Sequence, residues 1–133
     1  MAEFLDVLAK QCDHTRIAEE ILIEISNKEF GSQDSTVPKS FSRFLVKLSE
    51  LVPRVVVKQI GLLVKLLDCE CHTMRMGLIE VLGNLIIDFA NQEDQALNYV
   101  SQINGFFDAL EERFLDVNGF CRSKLLQVYL KLL

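Results

Sequence analysis

The sequence predicts an all-α fold of about seven helices, arranged as successive helical hairpins. First, apolar residues recur at intervals of three and four along most of the chain, as they do on one face of an α-helix. Second, no segment shows sustained alternation of apolar and polar residues between turn signals, so no strand is predicted. Third, one arrangement of apolar residues, an Asp and an Arg occurs twice along the chain. Half of the 133 residues are hydrophobic, which excludes an intrinsically disordered chain.

The first half of the chain is expected to hold three helices and a loop. Residues 2–11 and 14–27 form a hairpin within segment 1–27, and Asp13 can accept backbone N–H bonds where the second helix begins. Residues 28–38 are rich in Gly, Ser, Asp and Thr and are expected to form an exposed loop. Residues 39–52 form an additional helix. The apolar stripes of the second and third helices are Ile17, Ile21, Leu22 and Ile25, and Phe41, Phe44, Leu45, Leu48 and Leu51.

The second half is expected to hold two further hairpins, in segments 53–91 and 92–133. Pro53 suits the first turn of a helix, where its missing N–H would be unpaired anyway. It also disfavours helical geometry at Val52, so the preceding helix should end there. The apolar stripes are Val56, Ile60, Leu63 and Leu67, then Leu78, Leu82, Leu85 and Phe89. The four predicted helices are residues 54–67, 72–89, 95–114 and 119–132.

The repeated pattern is an apolar helix end, an Asp, a short turn, an apolar-Arg pair and an apolar helix. The Asp residues, Asp68 and Asp116, are 48 positions apart (116 − 68), and the Arg residues, Arg75 and Arg122, are 47 apart (122 − 75). This period suggests a HEAT-type hairpin repeat and hence an α-solenoid segment. We expect the four residues to form a ladder, in which each Arg reaches the Asp of its own or a neighbouring repeat.

A weaker third copy of the pattern is Leu8, Asp13 and Arg16. Hairpins of this kind need neighbours on both sides to bury their apolar faces, and neither end of the chain has the polar face of a capping repeat.

No residue pattern predicts catalysis, a cofactor or a small-molecule substrate. The chain has two histidines, no Gly-x-Ser-x-Gly elbow and no Gly-rich phosphate loop. Cys69, Cys71 and His72 are the one metal-like cluster, but tetrahedral zinc takes four ligands, so turn residues between two helices are the favoured interpretation. The N-terminus has no secretory signal, which favours free thiols in a reducing compartment. No apolar run approaches the length of a membrane span.

Charge is distributed unevenly along the chain, whose net charge is −5. From Lys39 to Arg75 there are seven basic and three acidic residues, whereas the remainder has seven basic and sixteen acidic residues. The basic side chains of this segment could bind DNA phosphates non-specifically or an acidic segment of a protein partner. The alternative is an ordinary solvated face with long aliphatic stems. The predicted stripes, each on one face of its helix opposite the apolar residues, are Lys39, Arg43 and Lys47, then Arg54, Lys58 and Lys65.

The residues of the basic region carry a resemblance to a known family. The run from Lys39 through Leu51-Val52-Pro53-Arg54 to Gln59 resembles the condensin complex subunit 1 family, the non-SMC HEAT-repeat regulatory subunits of condensin. Phe41 to Lys58 is the most specific part. The other similar segments are Cys12 to Thr15, Leu66 to Asp68, Thr73 to Arg75, Leu78 to Ile86 and Asp116 to Gln127.

The resemblance implies a fragment from the N-terminal half of a much longer solenoid. The implied function is regulatory and non-catalytic, in mitotic chromosome condensation. The implied partners are the condensin kleisin subunit and the SMC ATPases, and DNA contact is a family property. The implied location is the nucleus and chromosome, with a cytoplasmic pool. The alternatives are a HEAT adaptor of another family, such as a transport receptor or phosphatase scaffold, and a free-standing helical bundle regulator.

Overall fold

The computed structural model describes residues 15–28, 30, 36–92 and 100–133, and within these ranges all regular secondary structure is helical. In these described ranges, two 3₁₀ helices, Val64–Asp68 and Arg113–Leu115, accompany seven α-helices. The α-helices are α1 Thr15–Asn27, α2 Thr36–Leu51, α3 Pro53–Lys58, α4 Ile60–Leu63, α5 His72–Asn91, α6 Val100–Glu112 and α7 Gly119–Leu132. The all-α prediction is confirmed, whereas the predicted helix 2–11 lies outside the described residues.

Helix α5 forms the centre of the core. It packs most extensively against α2 on one side and α7 on another, with further contacts to α3, α6 and the first 3₁₀ helix. A helix that is apolar on several faces is stable only when neighbours cover those faces. Each fully buried Leu or Ile contributes roughly 1.5–3 kcal/mol. The buried apolar residues of α5 are Met74, Leu78, Ile79, Val81, Leu82, Leu85, Ile86 and Phe89.

Two glycines let the neighbouring helices approach α5 closely. A Cβ atom at Gly77 would collide with the Oγ of Ser42 in α2. A Cβ atom at Gly83 would lie 2.6 Å from Cγ1 of Val128 in α7. Since real Cβ atoms do not approach other atoms this closely, the absence of a side chain at both positions sets the spacing of the three helices.

The structure departs from the expected exposed loop at residues 28–38. Helix α2 begins at Thr36, three residues before the predicted start, and Pro38 is buried in its first turn. Proline is tolerated there because no intrahelical partner exists for its missing N–H. Phe30 is also buried. Its ring meets the ring of Phe41 edge to face, with the two ring centroids 5.8 Å apart. Part of this segment therefore contributes to the core.

The predicted continuous helix 54–67 is interrupted. After α3 the chain turns at Gln59, whose φ and ψ are −105° and 7°, and it continues through α4 into the 3₁₀ helix Val64–Asp68. Three consecutive valines at 55–57 have restricted side-chain rotamers in a helix, and Gly61 costs about 1 kcal/mol relative to Ala. This weak local preference allows packing to break the helix. Pro53 lies in the first turn of α3, as predicted, and α2 ends at Leu51, one residue before the predicted end at Val52.

The last hairpin follows the sequence more closely. Helix α6 is described from Val100 and ends at Glu112. The 3₁₀ helix Arg113–Leu115 follows it directly and includes the end of the predicted helix 95–114. Helix α7 has the predicted bounds, and Asn118 caps it by accepting hydrogen bonds from the backbone N–H groups of Phe120 and Cys121.

Candidate functional site

The six predicted basic residues form the candidate interaction surface, here called the basic surface. All six side chains are exposed. Only Val52 separates the last residue of α2 from the first of α3, so the basic segments of these two helices meet at one corner of the fold. The members are Lys39, Arg43 and Lys47 on α2, Arg54 and Lys58 on α3, and Lys65 on the first 3₁₀ helix.

The basic surface differs from the predicted stripe in one respect. Lys65 does not share a helix with Arg54 and Lys58, because the chain turns at Gln59. The apolar residues expected opposite the second stripe, Val56, Leu63 and Leu67, are nevertheless buried. The outward direction of the basic side chains therefore follows from burial of their neighbours, even though the helix is broken.

Few acidic side chains neutralise this surface. Lys58 lies 3.6 Å from Glu19 of α1, and its side chain remains mostly exposed. Among the residues that the structure describes, the other five basic side chains form no ion pair. Exposed cations of this kind interact with a polyanion at long range, and the strength of that interaction falls as salt increases.

A second polar feature joins the last two hairpins. Arg75 of α5 binds Asp116 in two places: Nε donates to Oδ2 at 3.0 Å and Nη2 donates to Oδ1 at 3.2 Å. Its Nη1 donates to the carbonyl oxygen of Cys69 at 2.7 Å. The Arg75 and Asp116 side chains are 8% and 2% exposed. Two-point pairing of a planar guanidinium with a carboxylate fixes the relative orientation of the two groups.

The environment of Asp116 favours its ionised form. Burial by itself raises the pKa of Asp116, but the Asn118 backbone N–H, which donates at 2.8 Å, and the Arg75 guanidinium outweigh it. The pKa of this carboxyl is therefore lower than its ordinary value. Burial likewise opposes the charge on Arg75, but Asp116 outweighs it and the pKa of Arg75 is raised. Each partner thus stabilises the charge of the other.

Arg113 also joins the two hairpins, although it is not part of the Asp-turn-Arg pattern. Its Nη1 donates to the carbonyl oxygen of Leu67 at 2.6 Å and lies 3.7 Å from Oδ2 of Asp116. The available signal was a basic residue three positions before each repeated Asp, since Lys65 precedes Asp68 as Arg113 precedes Asp116. The two cations behave differently, because Arg113 is largely buried at the hairpin boundary whereas Lys65 faces outward.

The other two residues of the predicted ladder, Asp68 and Arg122, do not take part in the buried pair. Asp68 is exposed and lies 3.7 Å from Nη2 of Arg113, while Arg75 pairs with the Asp of the following hairpin. Arg122 is exposed, and its Nη1 donates to the main-chain carbonyl of Asp116. Both Arg75 and Arg122 thus bond a carbonyl six residues earlier, but within the described residues Arg122 has no carboxylate partner.

The weaker third copy is only partly described, since Leu8 and Asp13 lie outside the described residues. Arg16 is exposed and pairs along α1 with Glu20 at 3.2 Å. This pair connects two residues of one helix and therefore does not join hairpins.

The cysteines at the hairpin boundary donate weak hydrogen bonds to main-chain carbonyls. Cys69 Sγ donates to the carbonyl of Cys71 at 3.4 Å, and Cys121 Sγ donates to that of His72 at 3.5 Å. Burial raises the pKa of both Cys69 and Cys121, so both are held as uncharged thiols. In the described ranges no group of three His, Cys, Asp or Glu side chains is arranged to hold a metal ion.

No helix in the described part of the chain combines the length and the apolar character that crossing a lipid bilayer requires.

Comparison with known proteins gives one consistent result. The chain is 38% identical to condensin complex subunit 1 of Schizosaccharomyces pombe over 98% of its length, and 37% identical to that of Saccharomyces cerevisiae over 95%. The Homo sapiens protein of the same name is 28% identical over 87% of the chain. No protein-family model matches the chain.

The matches cover only a small part of each relative. The chain spans 12% of the Schizosaccharomyces pombe protein, 11% of the Saccharomyces cerevisiae protein and 8% of the human protein. The resemblance of the basic region and the two Asp-Arg hairpins thus extends over nearly the whole chain. The chain is homologous to one segment of the proteins of the condensin complex subunit 1 family.

Proposed function

We propose that the chain is a non-catalytic scaffold segment of a condensin regulatory subunit that acts in mitotic chromosome condensation. The observation that carries this proposal is homology to condensin complex subunit 1 over 98% of the chain. A stack of helical hairpins suits a scaffold, because successive hairpins present an extended surface to partners. The place of action would be the nucleus and chromosome, with a cytoplasmic pool.

The proposed protein partners are the kleisin and SMC subunits of condensin. Co-purification of the tagged chain from mitotic extract tests this, with SMC and kleisin subunits identified by mass spectrometry. We expect both to be enriched over a tag-only control. Enrichment of transport factors or phosphatase subunits in their place would favour a HEAT adaptor of another family, and absence of condensin subunits would contradict the proposal.

The proposed nucleic-acid contact is the basic surface bound to DNA phosphates without sequence preference. Six exposed cations on adjacent elements support it, as does the scarcity of nearby carboxylates among the described residues. Such binding weakens with salt because each neutralised phosphate releases counterions. A partner with an acidic peptide segment would use the same charges, so the test includes both ligands.

The test is fluorescence anisotropy with labelled duplex DNA at several salt concentrations. We expect Lys47→Glu/Lys58→Glu/Lys65→Glu to weaken binding and to reduce the log–log salt slope by roughly 2.5–3, the contribution of three phosphate contacts. The control Arg16→Glu/Lys28→Glu/Lys131→Glu has the same change in net charge at exposed positions elsewhere. Equal loss in both variants, or unchanged binding in the first, would contradict a DNA site here. Binding of polyglutamate but not DNA would assign the surface to an acidic partner.

The Arg75–Asp116 pair belongs to the same proposal as a structural contact between hairpins. Its two-point geometry and burial support a role in fixing the angle between neighbouring hairpins. By the same argument, Arg122 would pair with a carboxylate of a further hairpin. Its Nη1 already donates to the carbonyl oxygen six residues earlier, as Nη1 of Arg75 does.

A further inference from the structure

Helices α2 and α5 lie side by side and run in the same direction. Gly77 of α5 lies against Ser42 of α2, and Asn84 of α5 donates from Nδ2 to Oγ of Ser49 at 3.0 Å. Both contacts join residues 35 positions apart (77 − 42 and 84 − 49), so the two helices advance together. Their C-terminal ends therefore lie at the same side of the fold.

The end of α2 and the longer α5 enclose a small cleft. In the same register Leu51, the last residue of α2, is level with Ile86, so α5 extends beyond the end of α2. The volume of the cleft is about 220 Å³, below the roughly 300–1,000 Å³ of pockets for small-molecule ligands. A cleft of this size suits a single side chain of a partner. Its lining residues are Ser49, Glu50, Asn84, Ile87, Asp88 and Asn91.

The cleft is rich in hydrogen-bond acceptors. Glu50 and Asp88 contribute carboxylates. The main-chain carbonyl of Ser49 lacks the donor that a continuing helix would supply, because the residue four positions later is Pro53, which has no N–H. The unpaired carbonyls at the ends of α2 and α5 carry the negative ends of two parallel helix dipoles. Charge and hydrogen bonding thus both favour a cationic donor.

No basic side chain belongs to the lining of the cleft within the described residues. In the same part of the chain, no ion pair joins Glu50 or Asp88 to a Lys or Arg. Asp88 accepts a hydrogen bond from Nε2 of Gln92 at 2.8 Å, and this neutral contact leaves its charge in place. The negative charge of the cleft is therefore available to a ligand.

A buried hydroxyl fixes the amide at the base of the cleft. Ser49 is 2% exposed, and its Oγ donates to the carbonyl oxygen of Val46 at 2.6 Å while it accepts from Asn84. The Asn84 amide is thereby held in one orientation before a ligand arrives. Binding to a site that is already ordered costs less conformational entropy.

We propose that this cleft is a docking site for an Arg side chain of a partner protein. A guanidinium carries five N–H donors and no acceptor, which matches acceptors contributed by two helices. A metal ion fits less well, because the described residues include no group of three His, Cys, Asp or Glu arranged to hold one. The site has the opposite charge to the basic surface and rests neither on the DNA contact nor on the homology, so its failure would leave both unaffected.

The test is a titration of the isotope-labelled chain, followed by two-dimensional NMR. The probe is a capped tripeptide, acetyl-Gly-Arg-Gly-amide. The comparison peptide has citrulline in place of arginine, which keeps the shape of the side chain without its charge. We expect saturable shifts of the side-chain NH₂ signals of Asn84 and Asn91 with the Arg peptide. The citrulline peptide should leave these signals unchanged at the same concentration.

A pair of matched variants assigns the binding to the cleft. Glu50→Gln/Asp88→Asn keeps the shape of both side chains and removes both charges. It should weaken binding of the Arg peptide by roughly two- to fivefold for each carboxylate, the range of partly exposed ion pairs. The control Glu24→Gln/Asp108→Asn makes the same changes at exposed positions of α1 and α6 and should bind the peptide as the wild type does. The dispersion of the NMR spectra verifies that both variants are folded.

Several outcomes would overturn the proposal. Equal shifts with the citrulline peptide, shifts confined to other acidic surfaces, or equal weakening in both variants would show that the cleft does not bind the guanidinium. Stronger binding of Ca²⁺ or of the corresponding Lys peptide at the same signals would assign the cleft to a metal ion or an ammonium group in place of Arg.

Discussion

At the scale of single residues, the buried Arg75–Asp116 pair makes a strong prediction about stability. Replacing either partner alone leaves the other buried charge without its two-point partner, and Arg113, which lies 3.7 Å from Asp116 Oδ2, does not restore those two hydrogen bonds. We expect Arg75→Leu or Asp116→Asn to lower the free energy of unfolding by roughly 3–5 kcal/mol, as measured by urea denaturation. The exposed pair Arg16–Glu20 is the control, and Glu20→Ala should cost less than about 1 kcal/mol. Equal, small effects of all three changes would contradict a stabilising role for the buried pair.

The lowered pKa of Asp116 predicts a pH dependence. The ordinary pKa is 3.8, and the folded value lies below it. The unfolded chain therefore takes up a proton at Asp116 at a higher pH than the folded chain does. The stabilisation is fully present above pH 3.8 and is lost as pH falls through the folded pKa. Urea denaturation between about pH 2 and pH 6 should show a steeper acid decline for the wild type than for Asp116→Asn. Parallel curves would exclude this contribution.

The polar residues at the hairpin boundary show how far the sequence could predict individual contacts. The repeated Asp-turn-Arg pattern singled out Arg75 and Asp116. It carries no information on which of the two arginines is buried against a neighbouring hairpin. Leu67 is 3% exposed and belongs to the core, whereas its counterpart 48 positions on, Leu115, is 89% exposed. Position in the stack, and not residue type, separates Arg75 from Arg122.

At the scale of helices, Gly83 predicts a specific packing cost. Gly83→Ala would place a Cβ 2.6 Å from Val128 Cγ1, and the β-branched Val128 has little rotamer freedom with which to move away. We expect a loss of about 1–3 kcal/mol despite the better helix propensity of Ala. Gly105→Ala has open space around it and should be neutral or stabilising by up to about 1 kcal/mol. Thermal or urea denaturation of both variants gives the comparison, and the prediction is wrong if Gly83→Ala is as stable as Gly105→Ala.

Helix boundaries were predictable where local signals and packing agree. Helix α7 has its predicted bounds, because in the structure the side chain of Asn118 caps the helix where its apolar run begins. The break at Gln59 was not predictable from periodicity, because Val56, Leu63 and Leu67 keep helical spacing through it and are all buried. There the tertiary contacts, and not the apolar spacing, determine where the helix is interrupted.

At the scale of the whole chain, the outer side of the last hairpin carries an exposed apolar face. Leu126, Leu130 and Leu133 are 56%, 70% and 100% exposed. Leu126 and Leu130 are four residues apart and lie on one face of α7, and Leu133 follows directly after the helix. Exposed apolar stripes of this kind mark surfaces that associate with other protein. In the free chain, a second copy is the available partner.

We therefore expect the purified chain to self-associate as its concentration rises, in sedimentation-velocity experiments. Leu126→Glu/Leu130→Glu should weaken the association, because it places charge on the stripe. It should leave the fold intact, since neither side chain belongs to the core, and circular dichroism can verify this. The control Ser123→Glu/Gln127→Glu has the same helical spacing and the same change in charge at exposed polar positions of α7. A chain that stays monomeric at all concentrations, or equal loss of association in both variants, would show that the stripe is not the contact surface. Loss in the leucine variant alone would assign self-association to the apolar face of α7, because net charge and helix are matched in the control.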